Sequence, residues 1–337
     1  MGAFPALDTP LVEVDDTITI QKALDILFEN RILSFPVYDK KIDDYVGFFD
    51  VSDAFSVIMG VNKLKKRMPS SKLRDQVLDV HGVKVDLSKS TTGDGLDLPI
   101  SIFLLEDSES RNSRRAPWKP VKSTDSWDKV VKILAEKVEP PYSPTRRVPV
   151  VDSTGKVVNI ISQSKIVSRL YKEYLIDANM VPRTFLKTPR TDKLGIRNMI
   201  SLKDSSTLGQ AFDLLCVKKL SVLPVVDAGG CPVGVISTKD LWFYKKLRSL
   251  DPKGEDPQNW SVMEYIKKAE ETAAASDAKR SHCVTAGLDT PLSTFITLLA
   301  TKHTHRIMVV DDEKRLVGVV SVADVCRCLD TDNFSVK

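Results

Sequence analysis

Three aspartates occupy the same place in a short sequence segment that recurs along the chain. The copy at residues 224–240, for example, begins Pro-Val-Val-Asp and ends Gly-Val-Ile-Ser-Thr-Lys-Asp, and this segment is called the phrase below. Asp53, Asp240 and Asp324 each follow a glycine by six residues and open a predicted helix. A carboxylate at such a position can accept charge-assisted hydrogen bonds from the adjacent hydroxyl groups of a sugar diol. One aspartate there is more often a helix cap, but three in register favour a shared kind of ligand.

A fourth copy of the phrase has Lys165 where the other copies have aspartate. An ammonium group donates hydrogen bonds and cannot accept them from a diol. We therefore expect this copy, the second along the chain, not to hold a sugar in the same way. Its ammonium group either contacts the phosphate of a ligand that a neighbouring copy holds, or it is a solvated charge on the surface.

Hydroxyl side chains lie next to the three aspartates and could donate to or accept from the same ligand. They are Ser52, Ser237, Thr238 and Ser321.

Basic residues stand just before the Pro-Val-Val-Asp part of the phrase in two copies only. They are Arg146-Arg147 and His305-Arg306. The planar fork of arginine suits phosphate, so their matching register predicts a shared anionic ligand. Two basic dipeptides on a solvated strand edge are the alternative.

The residues around the phrase predict the elements that position these side chains. Each copy begins with apolar residues at helical spacing, which gives one buried helix face. These are Ile20, Ala23, Leu24, Leu27 and Phe28; Trp127, Val130, Val131 and Leu134; Leu208, Ala211, Phe212, Leu215 and Cys216; and Leu292, Phe295, Ile296, Leu299 and Ala300. Two β-branched runs and a second helix follow. The unit is therefore strand–helix–strand–strand–helix, and the fold class is α/β (α+β).

Helix starts are expected at the polar residues before these faces. Asp125, Ser206 and Thr290 are predicted N-caps, with Pro291 in the first turn after Thr290.

One unit covers a single face of a small sheet, so units must pair to complete a core. The expected boundaries are 8–60 for unit 1, 119–176 for unit 2, 195–248 for unit 3 and 282–330 for unit 4. The connections are an insertion at 61–118, a linker at 177–194, and a linker with a helix at 249–281. The polar stretches Asp86–Asp97 and Glu106–Arg115 predict a mobile loop within the insertion.

Bulk composition excludes several classes of function. The 337 residues are 42% hydrophobic and 28% charged, as in soluble globular proteins, and the net charge of +4 does not indicate nucleic-acid binding. No apolar run approaches the roughly 20 residues of a membrane span, and no signal pattern opens the chain. The five cysteines form no CxxC pair, so we expect reduced thiols and a cytoplasmic or nuclear protein.

No catalytic signature is present either. The sequence lacks a glycine-rich phosphate loop, the HRD and DFG motifs of kinases and a GxSxG elbow. We predict no catalytic residues, no metal site and no cofactor.

The repeated unit resembles the cystathionine-β-synthase (CBS) domain, and the resemblance covers all four copies. It implies that the units pack as two pseudo-twofold pairs, which assemble into a disc. It also implies that Asp53, Asp240 and Asp324 contact the ribose of an adenosine ligand.

The combination of aspartate in the first, third and fourth copies with Lys165 and His305-Arg306 resembles one branch of that family. It is similar to the regulatory γ subunits of AMP-activated and sucrose-non-fermenting-type kinases, and closest to the plant type. This implies a non-catalytic sensor of AMP, ADP and ATP, whose partners are kinase α and β subunits. The ligand phosphates would converge at the disc centre.

Departures from that pattern keep a second hypothesis open. Leu33 and Arg146 replace basic residues of the animal members, and Asp50 replaces a serine or threonine. The alternative is a four-CBS scaffold or regulator with little nucleotide response, which controls another kinase, a phosphatase or another enzyme.

Overall fold

Four α/β units make up the chain, each with a three-stranded sheet and flanking helices. The computed structural model describes Phe4, residues 10–65, Lys72, 76–80, 83–91, 95–103, 118–137, 145–177, 182–275, Arg280 and 282–331. Within these residues the predicted α/β class and strand–helix–strand–strand–helix order are confirmed.

Unit 1 contains the first of the sheets and is followed by a hairpin from the insertion. Its elements are β1 (Val14–Asp15), α1 (Ile20–Glu29), β2 (Ser34–Asp39), β3 (Asp44–Asp50) and α2 (Val51–Lys65), and the hairpin consists of β4 (Val77–Val80) and β5 (Val83–Asp86).

Unit 2 repeats the same order and ends in a π-helical turn. Its elements are β6 (Val121–Lys122), α3 (Trp127–Ala135), β7 (Arg147–Val151), β8 (Val157–Ser162), α4 (Gln163–Leu170) and the π-helical residues Tyr171–Asp177. The short helix α5 (Pro189–Asp192) lies in the connection to unit 3.

Units 3 and 4 follow with a helix between them. Unit 3 has β9 (Leu202–Lys203), α6 (Leu208–Val217), β10 (Val222–Val226), β11 (Pro232–Ser237) and α7 (Asp240–Leu250), and the intervening helix is α8 (Val262–Ala275). Unit 4 has β12 (Thr285–Gly287), α9 (Leu292–Thr301), β13 (Arg306–Val310), β14 (Leu316–Ser321) and α10 (Val322–Thr331).

All four sheets share one pairing scheme. The first strand of a unit runs parallel to the second, and the second runs antiparallel to the third. The repeated phrase supplies the second strand, the third strand and the start of the second helix. Because the register is the same, the residues that end the third strand and open the helix lie at equivalent places in every unit.

The predicted N-caps are wrong by one residue. The caps are Ser126, whose hydroxyl accepts from Lys129 N at 3.3 Å, and Thr207, which forms a reciprocal capping box with Gln210. In unit 4 Pro291 is itself the cap, without a side-chain hydrogen bond. Asp125 and Ser206 are also common cap residues, so residue type alone does not distinguish them from their neighbours. The Asp125 carboxylate instead accepts from Lys122 N at 2.8 Å, in the turn before the helix.

Loss of the Thr207 cap tests this assignment. Thr207→Ala is expected to lower the free energy of unfolding by about 1 kcal/mol, because the Gln210 amide then loses its acceptor. Thr207→Ser keeps the hydroxyl and should behave as the parent in urea denaturation followed by circular dichroism. Equal losses in both variants would contradict the capping box.

Part of the insertion packs onto unit 1, so the expected mobile loop is wrong for the described residues of the stretch Asp86–Asp97, which are 86–91 and 95–97. Val85, Leu87, Leu98 and Ile100 are buried in the core of that unit. The Leu98 carbonyl accepts from Ile20 N at 2.9 Å and so satisfies the first turn of α1. Residues 104–117, which include the whole of the predicted polar stretch Glu106–Arg115, lie outside the described residues.

Units that are not consecutive share the two main hydrophobic cores. One core joins units 1 and 3, where α2 packs on α6 and the Phe55 and Phe212 rings meet edge to face at 5.2 Å. The other joins units 2 and 4, where α10 packs on α3 and α4 packs on α9. The predicted apolar helix faces form these cores, since one unit alone leaves them uncovered.

Consecutive units touch through their sheets, which closes the four into a ring. Val235 of unit 3 packs with Met308 and Val319 of unit 4. Between units 1 and 2, Arg147 Nη1 at the start of β7 lies 3.3 Å from Asp50 Oδ2 at the end of β3. Each unit therefore contacts two others, and the ends of the third strands face a common centre.

Candidate functional site

A cavity of about 310 Å³ lies where the four units meet. Among the described residues its lining includes six arginine or lysine side chains and two histidines: Arg146, Arg147, Arg197, Lys239, His282, His305, Arg306 and Arg327. Asp50 is the one carboxylate residue among the described lining residues. The site is therefore suited to an anion.

The strand register brings the two basic pairs to this cavity. Arg147 begins β7 opposite Ser162, and Arg306 begins β13 opposite Ser321. The first residue of one strand thus sits beside the last residue of its antiparallel partner. Lys239 comes from unit 3, directly before α7.

These cations differ in the acceptors that they contact. Arg147 Nη1 lies 3.3 Å from Asp50 Oδ2 of unit 1. Arg306 Nη2 donates to the hydroxyl of Ser221, which is neutral, at 2.7 Å. Within the described part of the chain, the Lys239 ammonium makes no hydrogen bond.

The concentration of positive charge changes the acid–base behaviour of the lining. Burial, reinforced by Lys239, Arg306, Arg147 and Arg146, lowers the pKa of His305 to about 3. Burial and the charge of Arg146 lower the pKa of Arg306 to about 10. Burial, with Arg306 and Arg147, also lowers the pKa of Lys239. A bound anion would relieve this mutual repulsion.

Asp240, in contrast, is buried in an ion pair behind the cavity. Its Oδ1 accepts from Arg280 Nε at 2.9 Å, and the two side chains are 4% and 3% exposed. Its Oδ2 accepts from the amide of Ser237 at 2.7 Å and from the Ser237 hydroxyl at 3.0 Å. Tyr265 adds a hydroxyl 3.4 Å from Oδ1. Protein donors thus surround this carboxylate.

Asp324 of unit 4 also accepts from protein donors. Its Oδ2 accepts from the Ser321 amide and hydroxyl at 2.8 and 2.6 Å, and from Arg197 Nη2 at 2.8 Å. Arg327 Nη1 donates to the other oxygen at 2.8 Å. Because Arg197 and Arg327 line the cavity, Asp324 orients two of its cations.

The residues at the same place in units 1 and 2 also make local contacts. Asp53 is buried, and its Oδ2 accepts from the Asp50 amide at 2.8 Å. Lys165 donates from Nζ to Asn159 Oδ1 at 3.3 Å.

A model of the CBS domain matches more than half of the chain. The matched residues are 6–60, 115–172, 193–241 and 275–331.

The chain belongs to the CBS-domain family.

Relatives that match this four-CBS chain over nearly its whole length include named kinase subunits. The 5'-AMP-activated protein kinase subunit gamma of Dictyostelium discoideum is 23% identical over 97% of the chain and 50% of the relative. The SNF1-related protein kinase regulatory subunit gamma-1 of Arabidopsis thaliana is 25% identical over 96% of the chain and 80% of the relative. The chain spans about half the length of the Dictyostelium relative.

Among solved structures, a Methanocaldococcus jannaschii protein has the same fold. It was described as a proposed archaeal homologue of g-AMPK. The TM-score is 0.63 with 18% identity, over 96% of this chain and 97% of that one. At this level of identity, the similarity shows a shared fold of the four CBS units.

The structure brings seven of the eleven residues predicted for the site to the central cavity of the CBS units. They are Arg146, Arg147, Ser237, Thr238, His305, Arg306 and Ser321. The other four, Asp53, Lys165, Asp240 and Asp324, are not among the described lining residues. The roles predicted for the three aspartates toward a ribose, and for Lys165 toward a phosphate, stay predictions.

Four functional candidates were missed by the sequence reasoning. Lys239 precedes Asp240 inside the repeated phrase, and Arg327 follows Asp324 by three residues on α10, so both had a local signal. Arg197 and Arg280 lie outside the phrase and reach their aspartates only through the tertiary fold.

The lowered pKa of His305 predicts how stability depends on pH. The folded protein protonates His305 near pH 3, whereas an unfolded chain does so near pH 6.5. The unfolded state therefore binds more protons between these values, and the free energy of unfolding falls as pH drops from 6.5. His305→Gln is expected to reduce that fall by about 1 kcal/mol per pH unit, measured by urea denaturation at pH 7.5, 6 and 5. An unchanged slope would contradict a neutral, cation-surrounded imidazole.

Proposed function

We propose that this four-CBS chain is a non-catalytic regulatory subunit of the γ type that binds adenine nucleotides in clefts between its units. The supporting observation is the central cavity, to which units 2, 3 and 4 bring Arg146, Arg147, Lys239, His305 and Arg306. Arginine pairs with phosphate through two parallel N–H groups. The phosphate end of AMP, ADP or ATP would occupy this cavity.

Regulation would follow from the number of phosphates. AMP and ATP bring different charge to a centre that all four units line, so each nucleotide would favour a different arrangement of the units. A partner that binds one arrangement better would read that difference.

The proposed partners are a catalytic α subunit and a scaffold β subunit of a heterotrimeric kinase. This rests on the names of the full-length relatives, which include AMP-activated and SNF1-related kinase subunits. The proposed location is the cytoplasm or the nucleus. Among the described residues no helix is long and apolar enough to cross a membrane.

Calorimetry combined with co-purification tests this function. AMP, ADP and ATP should bind, and GMP and GTP should bind at least about tenfold more weakly. Kinase α and β subunits should co-purify with the chain, and their activity should differ between AMP and ATP. Absence of adenine preference would contradict the sensor.

One observation favours the scaffold as a second candidate. The Asp240 carboxylate already accepts from Arg280 and Ser237, so it has reduced capacity for a ribose. A scaffold would bind the kinase subunits, or another kinase or phosphatase, with no change on adding AMP or ATP.

A further inference from the structure

We infer that residues 193–199, the segment before unit 3, act as a strap that blocks the carboxylate of Asp324 in unit 4 until a sugar diol displaces Arg197. The segment is called the strap below. The inference rests on the proposed binding of nucleosides and adds the residue that controls access of their sugar.

The strap crosses from unit 3 to unit 4 and binds there through its arginine. Arg197 lies before β9, the first strand of unit 3. Its Nη2 donates to Asp324 Oδ2 at 2.8 Å and to the carbonyl oxygen of Val319 at 2.9 Å. Val319 is in the third strand of unit 4 and precedes Asp324 by five residues.

Unit 4 makes the reciprocal contact with unit 3. Arg280 lies before β12, the first strand of unit 4. It donates to Asp240 Oδ1 at 2.9 Å and to the carbonyl oxygen of Val235 at 2.7 Å. Val235 precedes Asp240 by five residues, as Val319 precedes its aspartate. In each unit of this pair, an arginine from the other unit's leading segment therefore holds the carboxylate predicted to bind a sugar.

Protein donors saturate the Asp324 carboxylate. The amide and hydroxyl of Ser321, together with Arg197 and Arg327, give it four hydrogen bonds. A carboxylate has about four acceptor sites, and a diol would add two more donors. The Ser321 hydroxyl can rotate toward a ligand without movement of the chain. The second acceptor site becomes available only when an arginine leaves.

Arg197 is the arginine that can leave. Its side chain is 42% exposed and lines the central cavity, so the displaced guanidinium has space to enter. Arg327 is 29% exposed and follows Asp324 by three residues on α10, where the helix keeps the two side chains together. Arg280 is 3% exposed, so its release from Asp240 would leave a buried charge unpaired. Of the two carboxylates, that of Asp324 is therefore the releasable one.

The position of the strap depends on a glycine as well as on the arginine. Val319 N donates to the Gly195 carbonyl oxygen at 2.9 Å, and Ile196 forms an antiparallel bridge with Gly318. Gly195 has a φ of +71°, and a Cβ at this residue would lie 2.5 Å from the Val319 carbonyl oxygen. Because glycine allows both the angle and the close approach, a substitution there should displace the strap while Arg197 stays intact.

The test is isothermal titration calorimetry of the full chain with two ligands that carry no phosphate, adenosine and 2′,3′-dideoxyadenosine. Arg197→Met is expected to raise the affinity for adenosine about three- to fivefold, because the exposed competitor for Asp324 is gone. Dideoxyadenosine lacks the diol and should bind the parent and the variant alike. Adenosine affinity that is unchanged or lower in Arg197→Met would overturn the inference.

Three further variants locate the effect. Arg315→Met is the matched control, because Arg315 is an exposed arginine of unit 4 that pairs with acidic residues of its own turn, and it should leave adenosine affinity unchanged. Gly195→Ala should raise adenosine affinity as Arg197→Met does. Adding Asp324→Asn to Arg197→Met should remove the gain. The circular dichroism of each variant verifies folding. An equal gain in Arg315→Met, or a gain that persists in the double variant, would overturn the strap.

A direct contact between Arg197 and phosphate gives a different result. In that case Arg197→Met would weaken AMP and ATP and leave adenosine unchanged, which would also overturn the strap. If ATP binds but neither the parent nor Arg197→Met binds adenosine, the strap is wrong while the nucleotide sensor stands. If Arg197→Met raises the affinities for adenosine and guanosine alike, and these affinities are equal, the adenine preference is wrong while the strap stands.

Discussion

Asp240→Asn is expected to lower the free energy of unfolding by about 3–5 kcal/mol, the usual cost of removing one partner of a buried ion pair. Arg280 is 3% exposed and would keep its charge without the carboxylate that now lies 2.9 Å away. Glu270 lies 3.7 Å from the same guanidinium but is 43% exposed, so it compensates only in part. Urea denaturation followed by circular dichroism measures the loss.

The equivalent aspartate of unit 4 provides the control. Asp324 is 12% exposed, and its arginine partners Arg197 and Arg327 are 42% and 29% exposed. Solvent can therefore replace much of the lost interaction, and Asp324→Asn should cost about 1 kcal/mol. The two variants carry the same substitution at equivalent positions of the repeat. A difference between their losses of unfolding free energy is therefore due to burial and not to the position in the repeat.

A double variant distinguishes an ion pair from a ligand contact at Asp240. Asp240→Asn combined with Arg280→Met leaves no unpaired charge in the interior and should recover most of the stability. If Asp240→Asn instead unfolds with the parent and only loses nucleotide affinity, Asp240 faces the ligand and its proposed structural role is wrong.

The repetition of the fold could be predicted from the sequence because burial follows periodicity. Apolar residues at helical spacing, such as Phe212 and Phe295, must be covered, and both are fully buried. The strand phrase likewise determined where Arg147 and Arg306 begin their strands. These features depend on residues close together in the chain.

The choice of partner for each unit could not be predicted in the same way. All four helix faces are apolar, so nothing local says that α2 packs on α6 or α10 on α3. The Arg280–Asp240 pair spans 40 residues and joins two parts of the chain that carry no common motif. Such contacts are determined by the tertiary fold. The contact with Arg280 changes the role expected for Asp240 from that of a ribose ligand to that of a partner in a buried ion pair.

Arg306→Met is expected to have opposite effects on ligand binding and on stability. Without ligand, burial lowers the pKa of Arg306 to about 10, and the nearby charges of Arg146 and Arg197 contribute to that decrease. Its charged form is thus disfavoured by the fold. Methionine removes that charge, so the unliganded protein should gain about 1 kcal/mol, a rise of about 1–2 °C in Tm for a chain of this length, despite losing the bond to Ser221.

The same change should weaken ATP by about 10- to 100-fold, because a guanidinium that can contact phosphate through two N–H groups is lost. Calorimetry and thermal unfolding on one preparation measure both effects. Arg315→Met is the control, since Arg315 pairs with Asp311 and Glu313 on an exposed turn of the same unit and should leave ATP affinity unchanged. Clustered like charges destabilise the unliganded protein, and their presence is explained when a bound anion compensates the repulsion. A less stable Arg306→Met that binds ATP normally would mean that the arginines serve the fold and that the phosphates bind elsewhere.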